Sequence, residues 1–163
     1  MFFRIKKYFK GKKNKFYQNE LIDKLNIEHQ KLFEIVGKMD EAIAEKNAKK
    51  IKKLIGVFSR ELELHVLYED TNLYEHLYLR YHYYPDVRTE IEKKHNEIKN
   101  IAVAVGDFIT KHKKLDNIDS FKDDFEAVKQ VLVKRVSFEE EILYGIYATN
   151  QKTDQILLKL KRS

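Results

Sequence analysis

His65-Val66-Leu67-Tyr68-Glu69-Asp70-Thr71-Asn72-Leu73-Tyr74 is echoed further along the chain by Arg135-Val136-Ser137-Phe138-Glu139-Glu140-Glu141-Ile142-Leu143-Tyr144. Both stretches read x-Val-x-aromatic-Glu-acid-x-x-Leu-Tyr. On a helix, positions i and i+4 share a face. A His and a Glu at that spacing aim two metal ligands into the core of a helical bundle. The first copy carries His65 and Glu69. The second keeps Glu139 but has Arg135 where the His stands in the first.

The surrounding composition agrees with helices. The 163 residues include five Gly, one Pro and no Trp, and 36 % are charged. Few breakers and many Leu, Ile, Lys and Glu predict an all-α chain, and the length suits one domain with a sizeable core. With no cysteine, disulfides, thiolate metal sites and Cys nucleophiles are excluded. No apolar run is long enough to span a membrane, and no h-region follows the basic N-terminus. These features predict a cytoplasmic protein.

Four apolar stripes with alternating spacings of three and four mark the helices. They are Ile22, Leu25, His29, Leu32, Val36, Met39, Ile43; then Phe58, Leu62, His65, Glu69, Leu73, His76; then Ile91, His95, Ile98, Ala102, Val105, Ile109; and last Phe121, Phe125, Val128, Leu132, Arg135, Glu139, Ile142, Ile146. Breaks at Asn47, at Tyr83-Tyr84-Pro85-Asp86 and at Lys113 to Ser120 place the helices at about 19–46, 48–80, 86–112 and 119–147. Asp86 and Asp119 or Ser120 are the expected N-caps. Short connections make successive helices antiparallel. The expected fold is an antiparallel up-down-up-down four-helix bundle over 18–148, with a basic aromatic extension at 1–17 and a C-terminal extension at 149–163. Ile156, Leu157, Leu158 and Leu160 predict a short extra helix or a frayed tail in the latter.

The polar residues on the stripes share a level. At ~1.5 Å rise per residue, His29 lies roughly 17 residues before the end of its helix and His65 roughly 17 after the start of the next. Glu69 and His95 match in the same way across the second turn, as do His95 and Arg135 across the third. Buried polar groups cost several kcal/mol unless paired or ligated. Three His and two Glu in one layer offer nitrogen and carboxylate ligands for iron, manganese or zinc.

In this combination the chain resembles the hemerythrin-like family. The carrying residues are Glu28-His29 on the first helix, His65 and Glu69 on the second, Lys94-His95-Asn96 on the third and Glu139-Glu140-Glu141-Ile142-Leu143-Tyr144 on the fourth. The resemblance covers about residues 20–147. It implies a non-haem, usually di-iron, centre that binds or senses oxygen or nitric oxide, or handles iron. It further implies His29, His65 and His95 as terminal ligands, with Glu69 and Glu139 bridging.

Arg135 departs from that pattern, because family members place a His at this position. A guanidinium stays charged and cannot ligate a metal. Two arrangements remain open. Arg135 swings out and a di-iron or mononuclear centre persists, or Arg135 replaces the metal charge and bridges Glu69 and Glu139 in a metal-free interaction or signalling bundle. Lys99, off the inner line, is expected to point away.

Other residues receive plainer readings. His76 is structural or sits at a channel mouth, and His82 and His112 are solvated helix-end residues. Tyr68 and Tyr144 are core packing, or hydrogen bond to a ligand on the metal, and Asp70, Glu140 and Glu141 are solvated charges. Without a phosphate-binding glycine loop, a nucleophile elbow or a Cys, hydrolytic chemistry is a poor fit. Oxidase chemistry stays open, and a non-enzymatic role fits better. Seven cations and no acid among residues 1–15 exceed the net charge of +6, so the body is close to neutral and carries no nucleic-acid footprint. In the tail, Phe2, Ile5 and Phe9 form an apolar line among cations. It reads as a weak contact for an anionic membrane surface or as an extension folded over the bundle end. The pattern leaves the oligomeric state open.

Overall fold

A computed structural model describes residues 20–149 and 151–163. The reading of the basic N-terminal extension lies outside the described residues. Among them every regular element is helical. Helix α1 (Glu20–Ala44) is followed by α2 (Ala48–Glu69), which runs through a π-helical turn (Asp70–Tyr74) into α3 (Glu75–Arg80). Helix α4 spans Pro85–His112. Helix α5 (Ile118–Phe138) continues through a second π-helical turn (Glu139–Leu143) into α6 (Tyr144–Ala148), and α7 covers Thr153–Arg162. Helix α1 lies against α2 and α5, while α4 lies against α2, α3, α5 and α7.

Local chemistry sets the ends. After α1 the chain turns at Lys46 with φ 50°, and the Asn47 amide donates back to the Ala42 carbonyl at 2.9 Å. This left-handed exit satisfies carbonyls that the helix end orphans. Asn47 then caps α2 by accepting from the Lys50 amide at 3.0 Å. The expected caps of the later helices shift. Pro85 opens α4 at its first turn, so Tyr84 is the N-cap and Asp86 sits inside that turn. Proline fits there because its missing N–H has no helical partner in any case. For α5 the cap is Asn117, whose side-chain oxygen accepts from the Asp119 amide at 2.8 Å and the Ser120 amide at 3.0 Å. Asp119 and Ser120 are therefore the capped residues, not the caps.

Two apolar clusters fill the interior. One gathers Leu32, Met39, Phe58, Leu62, Phe121, Phe125 and Leu132. The other gathers Ile22, Leu25, Leu73, Tyr74, Ile91, Ile98, Leu143 and Tyr144, and takes in Ile156 and Leu160 of α7. The C-terminal segment is thus a helix whose apolar face is buried, not a frayed tail. The boundary between the clusters runs past Leu25 and Leu32 on α1, between Val66 and Leu73 on the second rod, and between Leu132 and Phe138 on α5. His29, His65, Glu69, Arg135 and Glu139 are buried along that boundary.

Candidate metal centre

His29 comes from α1, His65 and Glu69 from the last two turns of α2, and Arg135 from the last turn of α5. Glu139 opens the second π-helical turn, and the first such turn begins directly after Glu69. A π turn adds a residue to the helical repeat and is frequent at functional sites. Here the two turns start within one residue of the same place in the two copies of the repeat. They let Glu69 and Glu139 face the boundary while Tyr74 and Tyr144, five residues on, still point inward and are fully buried.

The two histidines of the first half are oriented by carboxylates. His29 donates from Nδ1 to Glu140 Oε1 at 2.8 Å, and His65 donates from Nδ1 to Glu28 Oε2 at 3.0 Å. Their Nε2 atoms then face one another at 3.2 Å. A neutral imidazole with its proton on Nδ1 presents a lone pair at Nε2. Two such lone pairs at this separation repel unless a proton or a cation lies between them. Glu139 Oε2 is 3.0 Å from His29 Nε2, an ion-pair distance when the imidazole carries a proton, and this oxygen has no hydrogen-bond partner. Ligand atoms of His29, His65 and Glu139 all lie within 4.8 Å of one another, and all three residues are buried.

Arg135 fills the other side. Its Nε donates to Glu139 Oε1 at 2.6 Å and its Nη2 to Glu69 Oε2 at 2.7 Å. The guanidinium therefore takes one oxygen from each carboxylate. Glu69 Oε1, Glu139 Oε2 and Arg135 Nη1 remain without hydrogen-bond partners.

The protonation equilibria follow from this geometry. Burial alone would lower the His29 pKa, but the Glu139 carboxylate 3.0 Å away and the hydrogen-bonded Glu140 outweigh it and raise it to about 9. Burial and the neighbouring His29 charge push His65 down to about 3. One proton on the His29 side of the pair is the metal-free answer to the facing lone pairs. Burial disfavours the ionised form of Glu139 too, yet the Arg135 charge and His29 hold its carboxyl low. Glu69 is pushed up by burial and by the charge of Glu139. Burial also raises the phenols of Tyr74 and Tyr144, so both stay neutral hydroxyls. That of Tyr144 lies 3.4 Å from His29 Nε2.

His95 does not join this cluster. Its Nε2 is 2.7 Å from Asp70 Oδ1, and its Nδ1 meets the Tyr78 hydroxyl. Its ring stacks on Tyr74 with centroids 3.7 Å apart and planes 5° from parallel. The reason lies in the core. Ile91 and Ile98, one turn to either side of His95, both belong to the second apolar cluster, so His95 sits within that cluster and off its boundary. Burial lowers its pKa.

Several plainer expectations need correction. Glu140 and Asp70 are half-buried partners of His29 and His95, not solvated charges. Glu28, which orients His65, was not singled out as a site residue. For Asp70 and Glu140 the signal in the sequence is the acid that follows the Glu in both copies of the repeat; for Glu28 it is the position directly before His29. His112 is buried and lies 2.6 Å from Asp124. His76 is exposed, with its ring 4.9 Å from that of Tyr147. Lys99 is exposed, as its position off the stripe predicts.

Buried imidazoles whose outer nitrogens are tied to carboxylates, converging on a carboxylate oxygen with no hydrogen-bond partner, make a cation-binding arrangement in a helical protein. Residues 20–147 match the hemerythrin HHE cation binding domain, and the chain belongs to that family. No curated protein and no solved structure matches it.

Proposed function

We propose that this chain is a non-haem iron-binding protein that binds or senses oxygen or nitric oxide, or handles iron, within an up-down-up-down bundle of its four long helical rods. The observation that carries this reading is the facing pair of Nε2 atoms on His29 and His65, held by Glu140 and Glu28 and closed by Glu139 Oε2. Imidazole and carboxylate donors suit iron, manganese and zinc, and family membership favours a cation. Iron held there supplies a Lewis-acidic, redox-active centre for a diatomic ligand.

The chain's own groups supply the rest. Glu28 and Glu140 hold the two rings in the tautomer that presents Nε2 inward. Arg135 places a permanent positive charge beside the donor set, and the buried Tyr144 hydroxyl adjoins His29. The two apolar clusters above and below exclude bulk water. A cytoplasmic location belongs to the same proposal, supported by the cysteine-free composition. No helix among the described residues is long and apolar enough to cross a membrane.

Metal content of untagged protein, purified anaerobically without chelator, tests the reading. Iron at a fixed ratio to chain, lost in His29→Ala, supports it. Protein that stays metal-free after incubation with iron(II) refutes it.

A second reading has its own observation. Arg135 bridges two buried carboxylates at 2.6 and 2.7 Å, as it would in a metal-free interaction bundle where its charge replaces that of a metal. That reading expects no change in melting temperature when chelator or iron(II) is added.

A further inference from the structure

The internal repeat makes the two halves of the buried layer directly comparable. In one half, α1 brings His29 against Glu140 and Tyr144 of the second copy, with ring centroids of His29 and Tyr144 6.0 Å apart and planes 12° from parallel. In the other half, α4 brings His95 against Asp70 and Tyr74, the equivalent acid and tyrosine of the first copy. Each His thus stacks on a buried Tyr and bonds the acid that follows a buried Glu. The halves differ in two respects. His29 meets its acid through Nδ1 and turns Nε2 inward, whereas His95 meets its acid through Nε2 and turns Nδ1 to the Tyr78 hydroxyl. And where the first copy aims His65 into the layer, the second aims Arg135.

We propose that the layer holds a single divalent cation on His29 Nε2, His65 Nε2 and Glu139 Oε2, and that the Arg135 guanidinium is its built-in second cation, with His95 released from ligation. The inference rests on the cation-binding reading above and fixes its stoichiometry and ligand set. The guanidinium spans Glu69 and Glu139 and consumes one oxygen of each. It leaves Glu139 Oε2 buried, 3.0 Å from His29 Nε2 and without a hydrogen-bond partner. A second mobile cation on the α4 side would stand against a fixed positive charge, and the imidazole that α4 offers there, His95, has its Nε2 committed to Asp70. The ion is of the class that accepts two imidazoles and a carboxylate, a first-row divalent metal rather than calcium or magnesium.

Anaerobic titration of the full chain with iron(II), read by calorimetry and by plasma mass spectrometry after desalting, tests the assignment. The unmodified chain is expected to retain one ion. His65→Ala is expected to lose binding at least a hundredfold, and His95→Ala to retain one ion with an affinity within a few-fold. Helical circular dichroism identifies a variant that fails to fold. For His95, His95→Gln, whose amide can still donate to Asp70, provides the second substitution. Two ions per unmodified chain, or loss of the ion in folded His95→Ala or His95→Gln, overturns the inference and leaves iron binding standing. Failure of the unmodified chain to take up any ion overturns both.

Discussion

Removing the guanidinium by Arg135→Ala tests the ion-pair geometry most directly. Arg135, Glu69 and Glu139 are 3 %, 1 % and 0 % exposed, so water cannot replace the lost partner without opening the boundary between the apolar clusters. Taking away one member of a buried, hydrogen-bonded charge pair costs about 3–5 kcal/mol, mostly because the remaining charge is left uncompensated. For a chain of this length, ~1 kcal/mol lowers the melting temperature by roughly 2–4 °C. The variant, stripped of metal by chelator, should therefore melt roughly 6–20 °C below the equally stripped parent. The assay is thermal unfolding followed by circular dichroism. Raising the salt should not rescue the variant, since buried pairs are screened far less than exposed ones. Combining Arg135→Met with Glu69→Gln should recover part of the loss, because apolar and neutral groups then replace the orphaned charge. A metal-free Arg135→Ala chain that melts within about 3 °C of its parent would refute the reasoning, since each kcal/mol should be visible on that scale.

Three further outcomes are expected. The stability of the metal-free chain should be greatest between about pH 4.5 and 6.5 and fall on either side. The raised His29 pKa gives stability that is present below 6.5 and lost as pH rises through about 9, and the raised Glu69 pKa gives stability that is present below 4.5 and lost as pH rises through about 8. The lowered His65 pKa makes stability fall as pH drops from 6.5 towards about 3, so between 4.5 and 6.5 it opposes the Glu69 effect. A flat profile of denaturant midpoint between pH 6.5 and 9 would contradict the His29 assignment. Phe125→Ala, which opens a cavity in the first apolar cluster, should destabilise by about 3–5 kcal/mol and leave the metal stoichiometry of the folded chain unchanged. Asn117→Ala removes two hydrogen bonds at the start of α5 and should lower stability by about 1 kcal/mol; a loss several times larger in urea unfolding would mean that Asn117 does more than cap.

How much of this could be read beforehand divides along a physical line. Stripe periodicity is a property of the backbone, so the helical ranges and the buried levels of His29, His65, Glu69, Arg135 and Glu139 were legible from spacing alone. The match of residue counts across each turn reaches only as far as a regular repeat of 3.6 residues. Two π-helical turns break that regularity, each beside a site carboxylate. Cap identity escapes the stripe for a related reason: Asn117 and Tyr84 lie just outside the periodic segment, where the stripe gives no information. Side-chain direction was less legible still. That His95 shares a stripe with Ile91 and Ile98 says that it is buried, but not which of its two nitrogens faces the centre.

The internal repeat carries the argument one step further than either the stripes or the family match. Two copies of one pattern should build two equivalent half-sites, and the acid and tyrosine of each copy do take equivalent places against His95 and His29. The single exchange of His for Arg in the second copy breaks that equivalence at the charged centre. A guanidinium cannot give up its charge, so it holds its share of Glu69 and Glu139 under all conditions. The proton on the His29–His65 pair is exchangeable, and the unpartnered oxygen of Glu139 adjoins it. In the reading proposed above, the layer combines a permanent cation with one position at which proton and metal would compete, and that asymmetry follows from the difference between His65 and Arg135.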